Sequence, residues 1–124
     1  MSFITNSDIK SNLIHGFDIS DYIAESDEEI YDVAEKLGIR DRTLIVTPIH
    51  YKIKRYAIVF VLMRLAQDKI GTNQPDSQVE KYRELYAMYS DELKYVYTQL
   101  TYEMFTGTVS SITGRTSSSG LYRG

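Results

Sequence analysis

The groups of this chain that could do chemistry are two histidines, a run of acids and a serine-rich tail, and none is spaced for it. His15 and His50 lie 35 residues apart. Neither has a Glu or a second His three or four residues on, so no zinc spacing exists. Cysteine is absent, which removes disulfides, thiolate metal sites and a thiol nucleophile. Asp27-Glu28-Glu29 with Asp32 lacks the alternating ligands and central glycine of a calcium loop. It reads as a solvated helix N-terminus. The glycines are scattered, and no strand precedes a glycine-rich turn, so there is no phosphate loop. Ser110-Ser111 and Ser117-Ser118-Ser119 sit in a Gly/Ser/Thr-rich tail, a poor place for a nucleophile that needs preorganised oxyanion donors. These readings point away from an enzyme and imply no cofactor.

Two patterns speak of binding instead. Lys52, Lys54, Arg55, Arg64 and Lys69 form a basic stretch. It could face nucleic acid, or it could flank a buried helix and pair with the acids of the first third. The second pattern is tyrosine: 11 Tyr stand against 4 Phe and no Trp. Val79, Tyr82, Tyr86, Tyr89, Leu93, Val96 and Leu100 recur alternately three and four residues apart, a heptad-like seam. Tyr82, Tyr86 and Tyr89, with Tyr95, Tyr97 and Tyr102 around them, exceed what one small core needs. Each buried tyrosine also needs a partner for its hydroxyl. The seam divides between packing inside the chain and a subunit interface.

The elements that must position these residues follow from composition and punctuation. The chain has 124 residues, 43% apolar and 25% charged, with a net charge of -3. That fits one globular domain and gives no global case for nucleic acid. Charge is uneven: net -7 over residues 1–41, +5 over 42–72, -3 over 73–104 and +2 over 105–124. The most apolar run, Tyr56 to Met63, is eight residues long, far short of the roughly 18–20 a spanning helix needs. The N-terminus lacks the basic and apolar regions of a signal peptide. The chain reads as soluble.

Four helices are expected over residues 1–104. The first covers about 7–14, capped by Asn6 or Ser7 and ended by Gly16. The second covers 26–37: Ser26-Asp-Glu-Glu29 reads as a capping box, Ile30, Val33, Ala34 and Leu37 share a face, and Gly38 stops it. The third covers 48–70, with Thr47 as N-cap and Pro48 at the first helical position. Residues 57–63 are apolar on every side, so this helix should be central. The fourth covers 76–103, with a second capping box at Ser77-Gln-Val-Glu80, and the short Gly71-Thr-Asn-Gln74 link makes it antiparallel to the third. Beyond it, twelve of residues 107–124 are Gly, Ser or Thr, too few apolar groups to order alone. Residues 105–124 read as an arm that orders on a partner. The fold class expected is all-α: a small helical bundle built on a long antiparallel hairpin, with an extended C-terminal arm.

This order of features resembles the head–tail connector proteins of tailed bacteriophages, also called adaptor or head-completion proteins. The likeness rests on an acidic helical start and the long apolar helix opened by Pro48. It rests further on the polar turn Gly71-Thr-Asn-Gln-Pro75, the helix bearing Glu80-Lys-Tyr-Arg-Glu-Leu-Tyr86, and the tail with Gly114-Arg-Thr-Ser117 and Tyr122-Arg123. The resemblance implies a structural virion protein without catalysis, forming a ring, typically of twelve copies, beneath the portal. Partners would be the portal protein, neighbouring copies and a stopper or tail/neck protein, with genomic DNA passing through the lumen and no membrane involved. It implies location in the virion neck, and in the host cytoplasm during assembly. Carried over by position, residues 105–124 become the portal-binding arm with Arg115, Leu121, Tyr122 and Arg123 as anchors, and the long helices supply contacts between neighbours. The net -7 N-terminal third departs from that pattern. The alternative is a small helical DNA-binding or regulatory protein using the basic helix 52–69.

Overall fold

The computed structural model describes residues 2–11, 14, 16–70 and 76–108. They fold as α1 (Ser20–Lys36), α2 (Tyr51–Ile70), α3 (Asp76–Gln99) and α4 (Tyr102–Thr106), with 3-10 turns at Asn6–Asp8 and Arg42–Leu44. There is no strand among the described residues. The architecture is the expected all-helical bundle, and its spine is the antiparallel α2–α3 hairpin.

Helix α2 lies between the other two long helices, since both α1 and α3 pack on it. Ile53, Tyr56, Ala57, Val59, Val61, Leu62, Leu65 and Ala66 are buried, while Ile58, Phe60 and Met63 are half-buried. Helix α1 buries a stripe of Ile23, Ser26, Ile30, Val33 and Ala34 at steps of three, four, three and one, the spacing of one helix face. The seam on α3 does face the body. Val96 and Leu100 are in the core, Tyr89 and Leu93 pack on it, and Val79, Tyr82 and Tyr86 are half-buried.

Several boundaries differ from those expected. The described residues of the span 7–14 form no α-helix: one 3-10 turn covers Asn6–Asp8 and Ile9 is extended. The Thr5 N–H donates to the Asp8 carboxylate at 2.8 Å, which closes the turn and holds the Asp8 carboxyl below its usual range. An extended path then lets Phe3, Ile4 and Ile9 all reach the core. Residues 12, 13 and 15 lie outside the described set.

Helix α1 starts six residues before the Ser26 capping box. Asp18 Oδ1 accepts from the Ser20 N–H at 3.0 Å and the Ser20 hydroxyl at 2.7 Å, and this turn launches the helix. Ser26 is instead fully buried inside it, its hydroxyl donating to the Ile23 carbonyl at 2.7 Å. The acids of that box face other segments: Asp27 accepts from the Phe3 N–H and the Ser2 hydroxyl, each at 3.0 Å. The C-terminus is as expected. Gly38 has φ +95°, its N–H donates to the Glu35 carbonyl, and the Ile39 N–H donates to Ala34, both at 2.9 Å. This is a Schellman pair with buried Ile39 behind it.

Helix α2 starts at Tyr51, not Pro48. The Thr47–Pro48 peptide is cis and precedes the helix. His50, not Thr47, is the cap: its Nδ1 accepts the Lys52 N–H at 3.1 Å, and its carbonyl accepts the N–H groups of Ile53 and Lys54. Helix α3 ends at Gln99 rather than 103. Thr101 takes an extended conformation, and its hydroxyl accepts the Met104 N–H at 3.3 Å, capping α4. That break turns Phe105 into the core, where it is 0% exposed, and its carbonyl accepts the Val46 N–H at 2.9 Å. Phe105 and Thr106 therefore belong to the body and not to the arm. Gly107, at φ +74°, ends α4, and residues 109–124 lie outside the described set.

Candidate interaction surfaces

The polar side chains of α1 and α2 are used against each other. The Tyr22 hydroxyl donates to Asp68 at 2.6 Å, and the Tyr56 hydroxyl donates to Glu29 at 2.6 Å. Arg64 Nε donates to Glu25 at 3.2 Å, and its Nη1 lies 3.9 Å from Asp68. Tyr and Arg are the donors, and helical carboxylates the acceptors. The Asp68 hydrogen bond, helped by partial burial, pushes the Tyr22 hydroxyl up to about 12. Burial, then the Glu29 bond, raises Tyr56 as well. Hydrogen bonding to Glu25 raises Arg64. Farther along, Arg42 lies over the Tyr31 ring at 3.8 Å and 3.7 Å from Glu28.

The basic stretch thus divides. Arg64 is engaged by the acidic first third. Arg55 is engaged by α3, its Nε donating to Glu92 at 2.7 Å. Lys69 covers the Phe17 ring at 3.7 Å. Lys54 lies within electrostatic reach of Asp8. Lys52 makes no ion pair among the described residues. Lys52, Lys54 and Arg55 all border one groove, and the pairing of Arg55 and Arg64 lowers the positive field this surface offers a phosphate backbone.

Two open grooves lie at the end of the body where α2 begins and α3 ends. The first, about 440 Å³, runs between α2 and α3. Ile58 and Val96 line it with Tyr51 and Tyr95, and Lys52, Lys54, Arg55, Glu92 and Gln99 supply its polar border. Tyr51 is 71% exposed and Tyr95 65% exposed, large values for residues with so much apolar area. The second groove, about 470 Å³, lies where the loop before α2 meets α4, with Val46, Pro48, His50, Glu103 and Met104 among its lining residues. The His50 and Tyr51 rings stack at 4.8 Å between the grooves. Because Nδ1 accepts a backbone N–H, a neutral His50 carries its proton on Nε2. One histidine beside one carboxylate is not a metal centre. No group of three or more metal-ligating side chains occurs among the described residues. No helix among them is long and apolar enough to cross a membrane.

Of the residues singled out from sequence, Tyr82, Tyr86 and Tyr89 are brought to one face of α3, the face turned to the body, with Tyr89 packed on the core. Arg115, Leu121, Tyr122 and Arg123 lie outside the described residues, as does His15. The pair Tyr51 and Tyr95 was not singled out. A signal existed for Tyr95: it neighbours buried Val96 in sequence, and adjacent helix positions are turned about 100° apart, so it cannot share the seam. Tyr51 lies outside the helical seam and only the folded chain brings it across from Tyr95. Compared with known proteins, this chain matches no family model, no curated protein and no solved structure.

Proposed function

We propose that this chain is a head–tail connector subunit of a tailed bacteriophage, a structural virion protein without catalytic activity. In this reading copies form a ring, of about twelve by analogy, under the portal protein. A stopper or tail/neck protein binds below, and the genome passes through the lumen without sequence-specific contact. The protein acts in the virion neck after assembly in the host cytoplasm. The observation that carries the reading is the division of the chain at Gly107. Before it stands a helical hairpin body with a buried core. After it come Arg115, Leu121, Tyr122 and Arg123, spaced among Gly, Ser and Thr. A segment of that composition binds by ordering on its partner, with modest affinity per area, and a ring multiplies such contacts by avidity.

Because Phe105 and Thr106 are part of the body, the informative truncation removes 109–124 and leaves α4 whole. The shortened chain should keep its helical circular dichroism and its melting temperature within a few degrees, yet fail to co-purify with a portal protein that the full chain recovers. Co-purification at full yield would remove the arm from the account. Replacing Leu121 and Tyr122 with Ala should weaken recovery by roughly tenfold or more, since buried aromatic and aliphatic anchors dominate interfaces. Unchanged recovery would show that these two are not the anchors.

A further inference from the structure

The inner contact of α1 on α2 and the outer groove of α2–α3 use the same residue types. Inside, helical carboxylates meet tyrosine hydroxyls and bases: Asp68 with Tyr22, Glu25 with Arg64, Glu29 with Tyr56. Outside, Tyr51, Tyr95 and Lys52 border a groove whose apolar wall is Ile58 and Val96, and no carboxylate is bonded to Tyr51, Tyr95 or Lys52 among the described residues. The complementary surface is on the same chain. Asp21, Glu25, Glu28, Asp32 and Glu35 are all exposed on α1 at alternating steps of four and three, which places them in one stripe. Glu25 and Glu28 are paired with Arg64 and Arg42. The carboxylates of Asp21, Asp32 and Glu35 have no ion-pair or hydrogen-bond partner among the described residues. Ala24 is exposed in the same stripe, a small side chain that lets a facing helix approach.

We infer that the α2–α3 groove receives the outer acidic stripe of α1 from a second copy of this chain. Both α1 and α3 pack on α2, so stripe and groove are different surfaces of one body. A contact between them is head-to-tail, and it closes into a ring when its rotation divides a full turn. Carboxylates arriving at the groove would meet the Lys52 ammonium and the two tyrosine hydroxyls, while the Tyr51 and Tyr95 rings, Ile58 and Val96 would lose water. The inference rests on the self-association contained in the connector reading and names the surfaces that make it.

The test uses the full chain without the portal protein, so its failure and a failure of portal binding are separate results. Sedimentation should show concentration-dependent assembly of the wild type, weaker in about 0.5 M salt than in about 0.05 M. Lys52→Glu with Lys54→Glu sets acid against acid, and Asp32→Lys with Glu35→Lys sets base against base. Each double variant should associate about tenfold or more weakly, and mixing the two should restore assembly, because the altered groove meets the altered stripe with opposite charge and the two unaltered surfaces make the wild-type contact. A wild type that stays monomeric to about 1 mM would overturn the inference and leave the groove to a different partner. So would double variants that assemble like the wild type, or a mixture that does not recover. If a variant misfolds, carbodiimide cross-linking of the wild type keeps the question decidable. The expected product joins Lys52 of one copy to Asp32 or Glu35 of another. Intermolecular cross-links that never involve Lys52 would contradict the inference.

Discussion

The two sides of α2 are built from the same chemistry and left in opposite states. Toward α1, Ile30, Val33, Ile53 and Tyr56 are almost fully buried, and the carboxylates beside them accept from tyrosine and arginine. Toward the outer groove, Tyr51, only two residues from Ile53, is 71% exposed. The difference teaches that the exposed rim of the α2–α3 groove is not needed to close the body. Packing of α1 and α3 on α2 closes it; at the groove Arg55 is held by Glu92, while Tyr51, Tyr95 and Lys52 have no carboxylate partner among the described residues. Stability should therefore follow the inner side, and assembly the outer one.

The largest effects should come from the inner side. Ile53→Ala removes a side chain that is 1% exposed, and Phe105→Ala one that is 0% exposed. Losses of about 2–5 kcal/mol are expected for each from transfer and cavity terms, read by urea unfolding. Tyr51→Ala should change unfolding by less than about 0.5 kcal/mol, as surface substitutions do. A large loss at Tyr51, or a negligible one at Phe105, would break the contrast.

Next in size is Tyr56→Phe, which leaves Glu29 in place without its donor. A loss of about 1–3 kcal/mol is expected, larger than for Tyr22→Phe, whose acceptor Asp68 is exposed. Equal losses would mean that burial does not distinguish the two bonds.

A pH titration sharpens the inner contact further. Tyr22 is raised from its ordinary value near 10 to about 12 in the folded chain. The folded state holds that proton more tightly, so the stabilisation is present below pH ~10 and is lost as pH rises from ~10 to ~12. Tyr22→Phe should flatten that part of the stability curve. At the acid end, Asp18 and Asp41 are lowered because each accepts from a nearby backbone N–H and hydroxyl. Their contribution is present above pH ~4 and fades as pH falls below it.

The smallest expected effect concerns nucleic acid. With Arg55 and Arg64 committed to Glu92 and Glu25, duplex DNA should show no salt-dependent affinity at about 0.15 M salt, and Lys52→Glu with Arg55→Glu should change nothing. Affinity that falls steeply with salt and with those substitutions would favour the DNA-binding alternative.

The parts of the fold legible in the sequence were those written in long apolar periodicity. The seam from Val79 to Leu100 and the apolar run of α2 led directly to the hairpin, because burying them admits few arrangements. Local punctuation was less informative. Ser26-Asp-Glu-Glu29 has the letters of a capping box, yet Ser26 is wanted in the core and Asp27 and Glu29 serve Phe3 and Tyr56, so the helix begins at Ser20. Thr47-Pro48 has the letters of a helix start, yet the His50 side chain occupies the Lys52 N–H. Phe105 read as the first residue of the arm, because nothing local says that Thr101 breaks α3 and turns Phe105 inward. The spacing of Tyr82, Tyr86 and Tyr89 placed them on one face of α3, where they stand half-buried. The Tyr51–Tyr95 groove was not legible in the sequence, since its two walls come from opposite ends of a hairpin.

The central proposal is that the body and the segment after Gly107 do different work, one folding and one binding a portal protein. Negative-stain imaging of this chain co-expressed with the portal protein of the same genome tests it most directly. The account predicts a ring on the narrow end of the portal with the full chain, and bare portals beside a folded, helical protein when residues 109–124 are removed. Bare portals with the full chain, or decorated portals with the truncated one, would contradict it.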